Sequence, residues 1–314
     1  MKRVSIIIPF KNYTQLFTYN LLALNYQEFK DFEVLIIDNS LNLKPKIRDI
    51  LKEINYELKI IEGDGKSRAS ARNLGILKSQ SEIILFLDSD MLAHKNLIKE
   101  HISIYQQYNT KNLAVIGLEL RINNINDFSN FNYCLNFINN IFLNYPRSRK
   151  ELKKRKLNWY KFLTGNLSSY RENFIKAGLF DEKFKTYGFE DLELGYRFSK
   201  LGINLIFNPL SVCYHLHPLN PIQRKTNKIE SITNLMIFFN KYKNKEIIET
   251  LGINIFSKIL YSIIPKNFLN LIEKKLEKNH KYPNKFIKLL EDIYVNYNFY
   301  NSYKEVQKKS SKKL

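Results

Sequence analysis

The segment Ile83-Ile84-Leu85-Phe86-Leu87-Asp88-Ser89-Asp90 places five apolar residues directly before two acids. An uninterrupted apolar run of this length is typical of a strand that is buried on both faces, as in a parallel sheet. Two carboxylates one residue apart at its end can bridge a divalent cation. Asp-x-Asp also occurs in ordinary turns, because Asp is favoured where a strand ends. The segment alone therefore leaves a metal site and a structural turn open.

Apolar runs and amphipathic segments alternate along the first 120 residues. The predicted strands are 4–8, 34–37, 58–61, 83–87 and 113–118, and the predicted helices are 13–26, one beginning at Pro45, 69–78 and 96–108. This alternation predicts an α/β fold with a mostly parallel central sheet flanked by helices, whose ligands bind beyond the carboxyl ends of the strands. Asp38, the segment Glu62–Lys66 and the acids Asp88 and Asp90 all follow predicted strands. We expect a binding site at this edge.

The pattern changes twice in the rest of the chain. Residues 121–160 lose the alternation and become rich first in Asn and then in Lys and Arg, which indicates an excursion or lid. Strand and helix patterns return over 161–218, where Glu190 and Asp191 begin a helix that Gly202 ends. The sequence of residues 219–314 predicts a basic helical extension with a disordered Lys/Ser tail. We therefore expect four segments, 1–120, 121–160, 161–218 and 219–314.

Composition favours a globular protein of the cytoplasm. Hydrophobic residues make up 44% of the chain, and its two cysteines, Cys134 and Cys213, lack the spacing of a disulfide framework or a structural zinc site. The apolar run Val4–Ile8 is too short for a signal-peptide core, and every apolar stretch is too short for a membrane helix. We expect a cytoplasmic location, with peripheral attachment to the inner face of the membrane as an option.

The net charge of +20 favours anionic partners, namely nucleic acid, an anionic membrane surface or a substrate that carries phosphate. Residues 219–314 contain 19 basic and 8 acidic side chains, an excess of 11 positive charges. Much of the charge therefore belongs to the extension. A solvated lysine face is the simpler interpretation of such runs.

Two common phosphate-binding motifs are excluded. Gly63-Asp64-Gly65-Lys66-Ser67 is similar to a Walker loop, but the first glycine of that loop would fall at Ile60. The chain also lacks Gly-x-Gly-x-x-Gly after its first strand, which disfavours a dinucleotide dehydrogenase. Arg72, on the helix predicted at 69–78, could instead bind phosphate oxygens in bidentate fashion. A salt bridge from Arg72 to a nearby carboxylate is the alternative, and the two roles are compatible.

Several ordered motifs resemble one family. Four segments of the chain resemble motifs of family 2 glycosyltransferases, which have the GT-A (Rossmann-like) fold. They are Val4–Asn12, Leu35–Ser40, Ala71–Gly75 and Leu85–Asp90. The galactosyltransferase-like C-terminal motif of chondroitin-polymerase-type enzymes is similar in three, which are Leu163–Asn166, Gly178–Glu182 and Gly188–Arg197. The resemblance covers about residues 3–218. It implies that 1–120 bind a nucleotide sugar and that 161–218 bind the acceptor and carry the catalytic residues.

By this resemblance, the first half would hold a UDP-sugar donor. Asp38 would bond the uracil, with Pro9 and Phe10 lining the base pocket. Asp88 would contact the ribose or the water shell of a metal. The other residues expected to bind the nucleotide sugar are Lys66, Arg72, Ser89, Gly165 and Asn166. Many relatives carry two acids at the end of the second strand, whereas here Ile37 precedes the single Asp38.

The resemblance also implies a metal site and a general base. Asp90 would bind the metal directly, with Asp88 beside it, and His215 matches the family histidine better than His217. Carboxylates with an imidazole suit Mn²⁺, and Mg²⁺ is an alternative. Asp191 would take the proton of the acceptor hydroxyl, and Glu190 would bind acceptor or donor hydroxyls. The alternative is that these two acids only cap their helix.

The sequence therefore predicts a metal-dependent inverting glycosyltransferase that moves a hexose or N-acetylhexosamine from UDP to a glycan hydroxyl. Two rival interpretations remain. A sugar-nucleotide nucleotidyltransferase would share the sheet but should carry a Gly-rich basic loop after the first strand, where this chain has Pro9-Phe10-Lys11-Asn12. A basic protein that binds nucleic acid or a membrane surface would use the Lys, Tyr and Phe residues of the extension. A nucleic-acid partner is the less favoured, and donor sugar, acceptor, linkage and oligomeric state stay open.

Overall fold

The computed structural model describes residues 2–121, 131, 135, 155–215, 221–253, 255–279 and 285–311. The chain forms two compact units. The first contains Met1–Glu182 and Glu190–Pro218, and the second contains Lys183–Phe189 and Leu219–Leu314. Most of the excursion predicted at 121–160 lies outside the described residues, and so does His217.

The first unit alternates strands and helices through residue 121, as its sequence predicts, except that the short strand Met91–Ala93 follows the strand Ile83–Leu87 directly. Its described strands are β1 (Val4–Phe10), β2 (Phe32–Asp38), β3 (Glu57–Glu62), β4 (Ile83–Leu87), β5 (Met91–Ala93), β6 (Leu113–Arg121), β7 (Arg155–Leu157), β8 (Asn166–Tyr170) and β9 (Asn204–His215). Its described helices are α1 (Gln15–Leu24), α2 (Arg48–Leu51), α3 (Arg68–Lys78), α4 (Leu97–Gln107), α5 (Arg171–Lys176) and α6 (Glu190–Lys200), with 3-10 turns at Lys44–Ile47 and Trp159–Lys161.

The described strands form one mixed sheet in the order β3-β2-β1-β4-β8-β6-β9-β5, with β7 paired to β9. Strands β1 to β4 pair in parallel, as predicted. Strand β8 lies antiparallel between β4 and β6, and β5 and β7 pair antiparallel with β9. Alternation predicts parallel pairing only for strands that a crossover helix joins, and these three strands are not joined in that way to the strands they pair with.

The apolar run of β4 is buried on both faces of the sheet, as its sequence predicts. Ile83, Leu85 and Leu87 belong to one hydrophobic cluster, and Ile84 and Phe86 belong to the cluster on the opposite face. Helices must therefore cover both faces of the sheet. The polar residues that follow β4 are consequently held at the edge of a rigid core.

The second unit is helical. Its described helices are α7 (Pro221–Glu230), α8 (Ile232–Tyr242), α9 (Lys245–Thr250), α10 (Ile255–Ile263), α11 (Lys266–Asn279) and α12 (Lys285–Ser311). The tail predicted to be disordered is helical as far as Ser311, because Phe299, Tyr300 and Tyr303 anchor α12 in a buried cluster. Among the described residues, none of the helices combines the length and the apolar content that crossing a bilayer requires.

The second unit also holds the segment Lys183–Phe189. The side-chain amide of Asn234, on α8, donates to the carbonyl oxygens of Thr186 at 3.1 Å and Gly188 at 2.7 Å. Gly188 and Phe189 both have left-handed backbones, with φ of 83° and 72°. A left-handed Phe is unfavourable unless its surroundings hold it. The strained end of this segment leads directly into α6.

Candidate functional site

The turn that carries Asp88 and Asp90 is fixed by backbone and side-chain contacts. The backbone N–H of Met91 donates to the Asp88 carbonyl at 3.1 Å. Asn20, buried on α1, donates from Nδ2 to the carbonyls of Asp88 at 3.1 Å and Met91 at 2.5 Å. Strand β5 then pairs with β9, with Met91 opposite His215. This register places His215 beside Asp90.

Asp90, His215 and Glu119 form a row of ionisable groups. Nε2 of His215 lies 3.1 Å from Oδ2 of Asp90, and Nδ1 of His215 lies 3.1 Å from Oε1 of Glu119. Burial alone would lower the pKa of His215, but hydrogen bonds and charges from Asp90 and Glu119 raise it to about 9. The imidazole is therefore protonated at neutral pH when it has only these carboxylates as partners.

Arg72 connects the two acidic parts of the site. Its guanidinium is only 3% exposed, and Nη1 donates to Oε1 of Glu190 at 2.9 Å. Nη2 lies 3.4 Å from Oδ1 of Asp88, and the guanidinium also lies over the ring of Phe180 at 5.6 Å. The salt bridge considered as an alternative from the sequence is therefore present. Burial raises the pKa of Asp88, and the charge of Arg72 opposes that rise.

Glu190 and Asp191 begin α6 on the other side of Arg72. Glu190 is buried, and its Oε2 is a buried oxygen without a hydrogen-bond partner within the protein. Asp191 accepts a hydrogen bond from the backbone N–H of Leu192 at 2.8 Å. Burial and the charge of Glu190 raise the pKa of Asp191 to about 7, although Arg72 opposes the change. Asp191 can therefore accept and return a proton near neutral pH.

Asp38 organises the loop after β2. Its Oδ1 accepts from the backbone N–H and the hydroxyl of Ser40 at 2.9 and 2.6 Å, and its Oδ2 accepts from the backbone N–H of Leu43 at 2.9 Å. The next residue, Asn39, bridges to the loop after β3, where it contacts Gly65 and Ser67. A carboxylate has about four lone-pair positions, so Asp38 retains capacity for a further donor.

Four other residues expected to bind the nucleotide sugar are at the edge of the site or exposed. Gly165 borders the site, since a Cβ there would lie 3.3 Å from Oδ2 of Asp88. Ser89 and Pro9 are partly exposed at strand ends. Lys66 is exposed and pairs with Asp64 at 3.3 Å, so a phosphate contact would require its side chain to leave that partner.

Phe10 and Asn166 lie within the core instead. The Phe10 ring is buried and packs on Phe17, with 4.4 Å between ring centroids. The Asn166 amide donates to the carbonyl of Ser211 at 2.9 Å, and its Oδ1 lies 2.8 Å from Nε2 of His101. These contacts occupy both side chains and favour structural roles for them.

Two site residues were missed from the sequence. Glu119 lies within β6, and Asn20 lies on the buried side of α1. The available signals were an acid directly after the strand predicted at 113–118 and an amide inside the helix predicted at 13–26. Neither signal says which loop such a side chain will reach.

The donor atoms fit a divalent cation only in part. Among the described residues, no cluster of three Asp, Glu, His or Cys side chains is arranged to hold a metal by itself. Asp90 and His215 nevertheless present an oxygen and a nitrogen that converge, and Asp88 lies on the same turn. Such a pair suits a cation that takes its other ligands from a bound diphosphate.

Replacing Arg72 by Met should lower the free energy of unfolding by about 3–5 kcal/mol, because Glu190 would keep a buried charge without its partner. Urea denaturation measures the change. Lys52→Met removes an exposed pair with Asp49 and should cost less than about 1 kcal/mol.

Adding Glu190→Gln to Arg72→Met should recover part of that loss, since the stranded charge is removed. A double variant less stable than Arg72→Met would contradict this account of the ion pair.

Solved structures with the same fold are glycosyltransferases. The mannosyltransferase PcManGT from Pyrobaculum calidifontis, solved with GDP-Man and Mn²⁺, aligns with a TM-score of 0.59 at 16% identity, over 96% of this chain and 86% of its own. GalNAc-T7, solved with UDP, GalNAc and Mn²⁺, aligns with a TM-score of 0.51 at 16% identity, over 69% of this chain and 43% of its own. The fold is therefore of the GT-A type, as the sequence predicts.

Relatives in sequence lead to the same family. The uncharacterized glycosyltransferase YfnE of Bacillus subtilis is 26% identical over 77% of this chain and 71% of its own length. The chondroitin synthase of Escherichia coli is 25% identical over 79% of this chain, which spans 40% of that enzyme. A model of the N-terminal domain of galactosyltransferase matches residues 147–234, and the model of glycosyl transferase family 2 matches residues 5–178. The chain belongs to glycosyl transferase family 2 and is a glycosyltransferase.

Proposed function

We propose that this enzyme transfers a hexose or N-acetylhexosamine from a UDP-sugar to a hydroxyl of a glycan, with inversion at the anomeric carbon. The observation that carries the proposal is the pair Glu190 and Asp191 at the start of α6, with Glu190 joined through Arg72 to Asp88 at the end of β4. One carboxylate in this pair has a pKa near 7, which suits a general base. Membership of a glycosyltransferase family leaves no support for a binding protein without catalytic activity.

In the proposed reaction, the acceptor oxygen attacks the anomeric carbon while its proton passes to the carboxylate of Asp191. The bond from that carbon to the diphosphate oxygen breaks on the opposite side, and UDP leaves with the bonding electrons. Oε2 of Glu190, which has no hydrogen-bond partner within the protein, would accept a hydrogen bond from a sugar hydroxyl and so orient acceptor or donor. Arg72 holds Glu190 in place during this step.

Asp90 and His215 would hold a divalent cation, Mn²⁺ or alternatively Mg²⁺, together with the diphosphate. When bound, such a cation acts as a Lewis acid and neutralises charge on the departing diphosphate. Asp88 would orient the ribose or the water shell of the cation beside it. The uracil would lie at the loop that Asp38 organises, next to Pro9. The solved relative with GDP-Man makes a GDP-sugar the donor to compare directly with UDP-sugars.

We also propose a cytoplasmic location with reversible attachment to the inner face of the membrane. The support for the location is that Cys134 and Cys213 lack the spacing of a disulfide framework. The excess of 11 positive charges in residues 219–314 would attract anionic lipids.

Asp191→Asn should leave UDP affinity unchanged and reduce transfer by about 10²- to 10⁴-fold, because the acceptor proton loses its base. Calorimetry with UDP and Mn²⁺, and a UDP-release assay with a panel of UDP- and GDP-sugars, measure the two properties. Asp49→Asn, which changes an exposed carboxylate, serves as the matched control. Loss of UDP binding together with transfer would assign Asp191 a structural role.

The pH dependence of transfer should follow the protonation of Asp191. The base must be ionised, so kcat/KM should rise with pH and level off above about pH 7. Glu190→Gln removes the like charge that helps to raise this pKa, and the midpoint should then move to lower pH. Glu57→Gln, at an exposed residue, should leave the profile unchanged. An unmoved midpoint in Glu190→Gln would reject Asp191 as the group that titrates.

Removal of metal should abolish UDP release, and added Mn²⁺ should restore it. Asp90→Asn should weaken Mn²⁺ binding in the presence of UDP, measured by the loss of the free-ion signal in electron paramagnetic resonance. Asp49→Asn should leave that binding intact. Turnover that persists in EDTA would argue against a role of the cation in the reaction.

A further inference from the structure

Helices α11 and α12 of the second unit form an antiparallel hairpin. Oη of Tyr294 donates to the carboxylate of Glu273, and Nζ of Lys275 lies 4.8 Å from the centre of the Phe286 ring. Contacts therefore run in opposite directions along the two helices. Between them lies a buried cluster, made by Leu269, Ile272 and Leu276 of α11 with Ile287, Leu290, Tyr294 and Val295 of α12.

Each helix of the hairpin also carries two large apolar side chains that are not buried. Phe268 and Leu271 on α11 are 45% and 65% exposed, and Phe286 and Leu289 on α12 are 53% and 56% exposed. We call these four side chains the hairpin face. Exposed apolar groups that cluster on a folded protein usually mark a surface that binds something.

The four residues lie on one side of the hairpin. Each of them directly precedes a residue of the buried cluster, so each is turned by one helical step, about 100°, from the interface between the helices. Because the two helices are antiparallel, a step of one residue back from the interface reaches the same side of the hairpin on each helix. The contact between Lys275 and Phe286 joins the two stripes across that side.

The charges around the hairpin face are mainly positive. Lys275 lies four residues after Leu271, on the same side of α11, and Lys274 is exposed beside it. Glu273, one of the two acids of α11, is paired with Lys225 at 3.1 Å. A second copy of the chain would bring these lysines against their own counterparts, which is unfavourable. A surface with an apolar interior beneath a negatively charged layer would suit the four apolar side chains and the lysines together.

We propose that the hairpin face docks on the surface of an anionic lipid bilayer. Phe268, Leu271, Phe286 and Leu289 would enter the boundary between headgroups and acyl chains, and the lysines would contact the headgroup phosphates. The inference deepens the membrane attachment proposed above and does not depend on the transfer reaction. The enzyme would thereby meet acceptors that are built on a membrane.

Co-sedimentation of the full chain with vesicles tests the proposal. Binding is expected to phosphatidylcholine vesicles that contain phosphatidylglycerol, to weaken with added salt, and to be much weaker with phosphatidylcholine alone. Phe268→Ser with Phe286→Ser should weaken binding at least about tenfold, because two large apolar groups no longer enter the bilayer. Lys274→Gln with Lys275→Gln should do the same, since each lysine near an anionic surface contributes roughly fivefold.

Matched controls separate this face from general surface properties. Leu77→Ser with Ile175→Ser removes apolar side chains of similar exposure, 55% and 46%, from the first unit. Lys46→Gln with Lys78→Gln removes the same charge there. Both controls should bind vesicles like the unchanged protein. All variants should release UDP in solution at the unchanged rate, so a failed transferase assay and a failed vesicle assay would be distinguishable.

Three results would overturn the proposal. They are equal binding to neutral and anionic vesicles, equal losses in the control variants, and absence of vesicle binding altogether. A concentration-dependent dimer in analytical ultracentrifugation that Phe268→Ser with Phe286→Ser abolishes would assign the hairpin face to a second copy of the chain instead.

Discussion

The ion pair of Arg72 with two carboxylates is the interaction on which the candidate site depends. Asp88 follows β4, Glu190 begins α6, and the two acids are 16 and 118 residues away from Arg72 in the sequence. Buried carboxylates are costly unless a cation and hydrogen bonds compensate them. One guanidinium therefore sets where the helix that carries Asp191 begins relative to the strand end.

Around Arg72, the site contains more carboxylates than cationic groups. Arg72 faces Asp88, Glu190 and Asp191 together, and its single charge cannot compensate all three. Burial and the charge of Glu190 raise the pKa of Asp191 to about 7, and Arg72 opposes that rise only in part. Across the turn, Asp90 and Glu119 share one imidazole. A diphosphate brought to this edge would meet carboxylates from both sides. In the proposed mechanism, a divalent cation is what makes that approach favourable.

The sequence predicted the parts of this arrangement that follow from local pattern. Alternation located the parallel strands and the polar residues at their ends, but it could not show that β5 pairs with β9, the register that joins Asp90 to His215. The role of Glu119 could not be predicted for the same reason, since it comes from strand pairing. The burial of Phe10, in contrast, could have been predicted from the sequence. It shares the period of two with Ile6 and Ile8 of β1, and all three lie in one cluster on the same face.

The residues directly before α6 have strained backbones and belong to the helical unit. Lys183–Phe189 belongs to the helical unit, and the next residue is Glu190. The amide of Asn234 holds the carbonyls on either side of Tyr187, and Gly188 and Phe189 keep left-handed backbones that a free loop would relax. Phe189 directly precedes Glu190, so this strained backbone ends at the residue where α6 begins.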